Sequence, residues 1–253
     1  MKKRIVYTNS AGMSMEFGWK KPYLLEKIDC CSGDAVIIAE SLAGESGTVT
    51  IDKKMPGKSI TLELSAVLPY DDYTIERRLQ DIKALFDPLL SGVLQVFTPF
   101  SVYTIDCAPT AEVFPEKTGV WYKYSFSVHL KSDDSCFKKG TPVPVTLSQY
   151  STTVRSSSAP ALPVRVTFPE GFLGRFDING AGITIGSALT AACTLDTKEM
   201  ILRDSQGNPI NNKINFAAPI EKIRLRCGKN TVHCDMTAGD VLMEYDELVG
   251  GVP

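Results

Sequence analysis

Trp121-Tyr122-Lys123-Tyr124-Ser125-Phe126-Ser127-Val128-His129-Leu130-Lys131 changes character at almost every step. Tyr122, Tyr124, Phe126, Val128 and Leu130 fall on one side of an extended chain; Lys123, Ser125, Ser127, His129 and Lys131 fall on the other. Successive strand side chains point to opposite faces, so this is a strand of an antiparallel sheet with one dry and one wet side. Ser59 to Leu68 repeats the pattern, with Ile60, Leu62, Leu64 and Ala66 set against Thr61, Glu63 and Ser65. Val93 to Thr98 and Tyr103 to Ala108 flank Thr98-Pro99-Phe100-Ser101 and read as a hairpin. In Met55-Pro56-Gly57-Lys58, Pro followed by Gly predicts a type II turn.

Working outward, the chain opens on a second hairpin. Ile5-Val6-Tyr7-Thr8 leads through Asn9-Ser10-Ala11-Gly12 to Met15-Glu16-Phe17-Gly18, and Pro22 closes the second strand. One segment departs from strand spacing: Tyr73 to Phe86 sets Ile75, Leu79, Ile82, Leu85 and Phe86 at helical intervals. Asp71 or Asp72 can cap its start and Asp87-Pro88 ends it. Beyond Phe137-Lys138-Lys139-Gly140-Thr141-Pro142 the strands become short: Val143–Leu147, Leu162–Phe168, Gly182–Ile185, Met200–Arg203, Lys222–Cys227 and Asp240–Tyr245. Short strands between Gly-, Asn- and Pro-containing turns predict a sandwich or jelly roll. The expected fold is mainly β with one packed helix.

A length of 253 residues suits two such domains, and 43% hydrophobic with 22% charged residues supplies ordinary soluble cores. A net charge of -2 argues against broad electrostatic binding to nucleic acid or anionic membrane. No apolar run approaches the roughly 20 residues of a membrane span. Ile5-Val6-Tyr7 gives way at once to polar residues, so no secretory signal is expected after Lys2-Lys3-Arg4. The seven cysteines (Cys30, Cys31, Cys107, Cys136, Cys193, Cys227 and Cys234) show no paired spacing and read as reduced thiols.

The first hairpin, with Lys21-Pro22-Tyr23-Leu24-Leu25-Glu26, resembles the opening of the distal tail proteins of long-tailed (siphovirus-type) bacteriophages. Four further stretches resemble the same family in order along the chain. They are Arg77-Arg78-Leu79 through Leu85-Phe86-Asp87-Pro88 to Gly92-Val93-Leu94; Tyr103 to Pro109 with Glu112-Val113-Phe114-Pro115; Thr194-Leu195-Asp196-Thr197; and Ile223 to Val232, a Leu–x–x–Gly–x–Asn hairpin. Pro56-Gly57-Lys58 and Lys131-Ser132-Asp133-Asp134-Ser135-Cys136-Phe137 depart from the family's pattern. The resemblance implies residues 1–141 as a ring-forming β-sandwich or barrel-like domain with one helix, and residues 142–253 as a galectin-like β-sandwich. It implies a structural, non-enzymatic component of a virion tail tip or baseplate, made in the bacterial host cytoplasm. A homohexameric ring would surround the DNA channel, between the tail-tube protein and the tail-tip hub, with receptor-binding proteins attached outside. Neither cofactor nor metal, sequence-specific nucleic-acid binding nor membrane insertion is implied. Ring closure falls in the first domain, where Phe17, Trp19, Pro22 and Tyr23 are the candidate interface residues: aromatic anchors beside a Pro-fixed bend bury large area at small entropic cost. Composition alone would make Ser151 to Pro163, with Ser156-Ser157-Ser158, the interdomain linker; the family pattern puts a strand before that run and the boundary near 141.

Catalytic residues are sparse. The two histidines, His129 and His233, lack an evident orienting partner. Cys227, His233 and Cys234 suggest a zinc fragment, but His233 and Cys234 point to opposite faces of a strand and a fourth ligand is missing. Cys30-Cys31, Asp71-Asp72 and Asp133-Asp134 read as a strand pair, a cap and a charged loop. Gly171-Phe172-Leu173-Gly174 and Gly180-Ala181-Gly182 lack the helix or Lys of a phosphate cradle. The alternative function is a carbohydrate-binding adhesion module on the second domain, which needs an exposed ring to stack on a sugar. Tyr150, Phe168, Phe172, Phe176, Phe216 and Tyr245 are the aromatics available, most of them at core-like positions.

Overall fold

The computed structural model describes residues 3–32, 36–41, 48–54, 56–68, 71–119, 122–156, 161–216, 222–235 and 237–250. Trp121, Met55, Ser157 and Ser158, each part of a sequence expectation, lie outside them, as do the side chains of Cys31, Asp72 and Phe216. The chain is mainly β with one α-helix, and it divides between Lys139 and Gly140 into two compact units. The first takes the described residues up to Lys139 together with Gly250; the second is Gly140–Val249.

The first unit runs β1 (Arg4–Asn9), β2 (Ser14–Phe17), β3 (Tyr23–Ser32), β4 (Val36–Ser41), β5 (Thr48–Lys54), β6 (Lys58–Val67), α1 (Asp72–Leu85), β7 (Gly92–Phe97), β8 (Val102–Pro109), β9 (Glu116–Lys117) and β10 (Lys123–Ser132). Its backbone is the long antiparallel ladder between β6 and β10, in register from Lys123↔Val67 to Ser132↔Lys58. That register sets Phe126 beside Leu64, Val128 beside Leu62 and Leu130 beside Ile60, all buried. Each such side chain contributes about 1.5–3 kcal/mol by leaving water. β3 extends the ladder on the far side of β6, while β2-β1-β7-β8 form a second antiparallel run. The expected hairpins form: Ile5 pairs with Phe17 across the first turn, and Phe97 with Val102 across the second.

The helix carries its buried residues at Ile75, Ile82, Leu85 and Phe86, whereas Leu79 is only half-buried at the margin of the stripe. Asp71 is the cap, accepting from the Thr74 amide at 3.2 Å and from the Thr74 hydroxyl. These bonds hold its carboxyl below the usual range. Phe86 stacks on Tyr7 at 5.0 Å and lies 6.0 Å from Phe17, whose ring meets Phe126 edge-on at 6.2 Å. One aromatic cluster therefore ties the helix end to both sheets. Asn9 locks it: its Oδ1 accepts from the Ala11 and Met13 amides inside the hairpin turn, and its Nδ2 donates to the Ala84 and Leu85 carbonyls at the helix end. A buried amide that spends all its bonds satisfies both a turn and a helix terminus.

The expected type II turn at Pro56-Gly57 is corrected. Gly57 has no positive φ; a Cβ there would stand 2.1 Å from the Ser132 carbonyl oxygen, so glycine is required for close approach of β10. The neighbouring Lys58 is fully buried and donates from Nζ to the Gly250 carbonyl at 2.5 Å.

β11 (Phe137–Leu147) carries the chain into the second unit, which continues with β12 (Ser151–Ser156), β13 (Leu162–Pro163), β14 (Arg165–Phe168), β15 (Gly174–Ile178), β16 (Ala181–Ile185), β17 (Cys193–Asp196), β18 (Ile201–Arg203), β19 (Ile214–Phe216), β20 (Arg224–Leu225), β21 (Gly228–Cys234) and β22 (Val241–Val249). One antiparallel sheet has the order β12-β21-β15-β16-β19; another run is β18-β17-β14-β22. Between them lie Phe168, Phe172, Phe176, Leu195, Leu202, Val232 and Met243, all buried, in a β-sandwich core. The Phe168–Phe172 and Phe168–Phe176 ring centroids are 4.7 and 5.8 Å apart.

Two expectations change here. The serine-rich stretch that composition alone reads as a linker contains β12, paired with β21 from Ser151↔His233 to Ser156↔Gly228. The expected hairpin at Ile223–Val232 is instead a corner: β20 pairs with β13, while β21 joins the five-stranded sheet. Buried Asn230 holds the corner, accepting from the Arg226 amide at 2.7 Å and donating to the Arg226 and Gly228 carbonyls. β15 is not among the strands expected from sequence, although Asn179-Gly180, with φ of 53° and 85°, is the two-residue turn that joins it to β16.

Candidate interface and binding surfaces

The four candidate interface residues do not share one environment. Phe17 has no exposed surface; it packs 5.5 Å from Tyr23 and against Phe86 and Phe126. That corrects its assignment, because a ring in the monomer's core cannot also anchor a partner. Trp19 is 55% exposed, with the Lys20 ammonium 4.7 Å from its ring, and Pro22 is exposed beside it. Tyr23 is half-buried, and its hydroxyl is enclosed without a hydrogen-bond partner among the described residues. The loop carrying Trp19 is pinned to β3 by Gly18, whose amide donates to the Tyr23 carbonyl and whose carbonyl accepts from the Leu25 amide.

β3 pairs, among the described strands, only with β6. A long edge strand invites pairing with another chain, and this one is irregular where that would begin. Its register slips between Leu25 and Lys27; Glu26 at the slip accepts from Ser65 Oγ at 2.7 Å and Lys123 Nζ at 2.8 Å. The Lys123 and Ser65 bonds hold the Glu26 carboxyl below its usual range. Elsewhere on this unit Tyr73, Leu89, Phe100 and Phe114 are strongly exposed, the last with the Lys83 ammonium 5.8 Å from its ring.

An open groove of about 680 Å³ also lies on the first unit, lined among others by Asn9, Gly92, Asp106, Cys107, Asp133 and Asp134. It opens where β8, after pairing with β7, reaches β10 only at Pro109 and Ala108. Asp106 lies 3.9 Å from Lys138, and the loop of Asp133-Asp134 is tied down by the Asp134 amide, which donates to Ser132 Oγ. Burial pushes the Cys107 thiol up to about 12, an inert group at neutral pH. Among the described residues no three His, Cys, Asp or Glu side chains converge as metal ligands.

On the second unit the outer face of the five-stranded sheet gathers polar residues the sequence left scattered. Asp177 and His233 are cross-strand partners; the buried Asp177 carboxylate accepts from His233 Nδ1 at 3.3 Å and from the Gly180 amide, and it forms an ion pair with Arg175, whose Nε lies 3.0 Å away. The expectation that neither histidine has an orienting partner is thereby corrected for His233. His129 lies 3.2 Å from Thr61 Oγ1. Ser151 is the next residue across from His233, so the row Ser151, His233, Asp177 copies the order of a hydrolytic triad. No hydrogen bond joins Ser151 to His233 among the described residues, and a hydroxyl without its base is not an activated nucleophile. Cys234 is buried on the opposite face, its thiol pushed up to about 12 by burial, so it and His233 do not converge on a metal. Phe168, Phe172, Phe176 and Tyr245 are core; Tyr150 stands exposed, its ring 5.5 Å from that of His233.

Neither a protein-family model nor a curated sequence matches the chain. Solved structures do. The crystal structure of the SPP1 Dit protein, described as a paradigm of the hub adsorption apparatus in Gram-positive infecting phages, superposes with a TM-score of 0.72 at 9% identity, over 97% of this chain and 99% of that one. The chain has the fold of SPP1 Dit. Chains of the phage P2 baseplate in its activated conformation, with Ca and with Sr, give TM-scores of 0.53 and 0.52 at 8% and 9% identity over the full length of both chains.

Proposed function

We propose that this protein is a structural component of a bacteriophage tail tip or baseplate, built into the virion as a homohexameric ring around the DNA channel. The observation that carries the reading is the likeness to SPP1 Dit over nearly the whole of both chains. In this reading the first unit closes the ring between the tail-tube protein and the tail-tip hub. The second is a galectin-like outer sandwich to which receptor-binding proteins attach. The distribution of exposed apolar side chains supports it: Trp19, Tyr73, Leu89, Phe100 and Phe114 stand out from the first unit. Aromatic residues such as Trp and Tyr are the side chains from which interface anchors are most often drawn. No enzymatic step is assigned, since Ser151, His233 and Asp177 are not joined as a working triad.

Light scattering on the purified chain over a range of concentrations should show a discrete species of six subunits, seen as rings by negative stain. Trp19→Ser should weaken or dissolve it without unfolding the protein. A monomer at every concentration overturns the reading. The second reading, carbohydrate adhesion through the second unit, is favoured by the exposure of Tyr150 beside His233.

A further inference from the structure

The outer face of the sheet β12-β21-β15 has two polar features. The first is a pair of like charges. Arg155 and Lys229 are direct cross-strand partners on this face, both exposed, with no ion pair to either among the described residues. Like charges set directly opposite destabilise a sheet, and an anion laid across them removes that cost. The second is an oriented polar group two alternations along β21, at His233. Asp177 is 2% exposed and holds both neighbours by one carboxylate. Arg175 Nε lies 3.0 Å from Asp177 as an ion pair, and its two terminal amino groups, on a half-exposed side chain, have no partner among the described residues and are a fork of donors open to a ligand. His233 gives Nδ1 to Asp177, which leaves Nε2 as the ring's second hydrogen-bonding nitrogen.

Three further details shape this end. Tyr150 is 61% exposed beside the His233 ring and offers an aromatic face. Gly182, across from Asp177 on β16, has no room for a side chain: a Cβ would stand 2.4 Å from that of Asp177, so nothing rises there to cover the fork. Between the two ends lie Thr153 and Thr231, while Ser151 sits directly across from His233. Lys229 and His233 are four residues apart, about 13 Å along an extended strand.

From these we infer that the face binds an acidic polysaccharide, a chain of sugar rings bearing carboxylate or phosphate groups. Tyr150 stacks on one ring, the Arg175 fork takes its anionic group, and His233 Nε2 hydrogen-bonds a sugar hydroxyl. Arg155 and Lys229 meet a second anionic group further along the chain. Asp177 does not touch the ligand; it is a positioning residue that fixes Arg175 and His233. The inference deepens the adhesion reading and does not depend on ring formation, because the site lies within one copy of the second unit.

Titration calorimetry of the full chain with oligogalacturonate and with neutral dextran tests it, with light scattering run on the same samples to read assembly separately. Oligogalacturonate should bind, with an affinity that falls as salt rises, and dextran should not. Arg175→Gln and Tyr150→Ala should each weaken binding about tenfold, the loss of one charge-assisted contact or one stacked ring. Arg175→Lys, which keeps the charge and loses the fork, should fail to restore it. Arg155→Gln with Lys229→Gln should flatten the salt dependence, and Tyr150→Ala, a change at an exposed side chain, should keep the parent's melting profile, so that its lost affinity is not lost fold. Failure of oligogalacturonate to bind overturns the inference. So does inorganic polyphosphate binding equally tightly and indifferently to Tyr150→Ala, since the face would then sense charge and not a sugar.

Discussion

The two units of this chain solve the same structural problem with one device and then present opposite surfaces. Each locks a chain reversal with a buried asparagine whose amide is fully spent: Asn9 joins a hairpin turn to a helix end, and Asn230 joins a corner to two strands. What they leave to solvent differs. The first unit exposes large rings and aliphatic groups, from Trp19 to Leu89, while the sheet face of the second exposes cations, hydroxyls and the single ring of Tyr150. Apolar exposure is relieved by burial against protein, whereas ordered cations and hydroxyls are relieved by a hydrated anionic ligand. In the proposed reading, that contrast assigns assembly to the first unit and recognition to this face of the second.

The sharpest way to break the comparison is at the cores. Phe86→Ala in the first unit and Phe168→Ala in the second should each cost about 3–5 kcal/mol in denaturant melts. A cost well under 1 kcal/mol for either would remove the packing described for that unit. Along the helix, Ile82→Ala should cost about 2–5 kcal/mol, with half-buried Leu79→Ala clearly less. Equal losses would put the buried stripe elsewhere.

The asparagines come next. Asn9→Ala and Asn230→Ala each strand buried backbone groups, so each should cost about 1–3 kcal/mol or more per group left unsatisfied. If Asn230→Ala is neutral while Asn9→Ala is not, the shared device is not shared. Thiol chemistry then reads both cores at once. Burial pushes Cys107 in the first unit and Cys234 in the second up to about 12, whereas Cys227 is exposed. At mildly alkaline pH a disulfide reagent should take Cys227 at once and the two buried thiols on the order of a thousandfold more slowly, until denaturant opens the fold. Prompt labelling of Cys107 would show the first unit's core open to solvent.

The smallest effect belongs to Glu26. Its carboxyl is held below the usual range by Lys123 and Ser65, so its stabilisation is present above the unfolded residue's range and lost as pH falls through the depressed folded value. The group is nearly half exposed, which limits the contribution to under about 1 kcal/mol. Glu26→Gln should therefore be slightly destabilised at pH 7 and match the parent near pH 3; a difference that persists in acid would assign the effect to the β3 irregularity itself.

Alternation in Ser59–Leu68 and in Phe126–Lys131, the helical spacing from Ile75 to Phe86 and the capping Asp71 were all legible in the sequence, because each depends on neighbours a few residues away, whereas Tyr122, expected on the dry face, lies before β10 at a φ of 54°. What was not legible depends on distant partners. Gly57 looks like a turn glycine until the Ser132 carbonyl is found against it, and Phe17 looks like a surface anchor until Phe86 and Phe126 close over it. Ser151–Ser156 reads as a linker by composition because polar strands on a wet face resemble loops; pairing with β21 makes it a strand. The polar site on the second unit was hidden for the same reason: Arg175 and Asp177 lie on one strand, His233 on another and Tyr150 ahead of a third. Period and capping determined the mainly β class and the one helix. Which polar side chains meet was decided only by strand order and register, because a ladder brings together residues more than fifty positions apart that nothing in their local sequence connects.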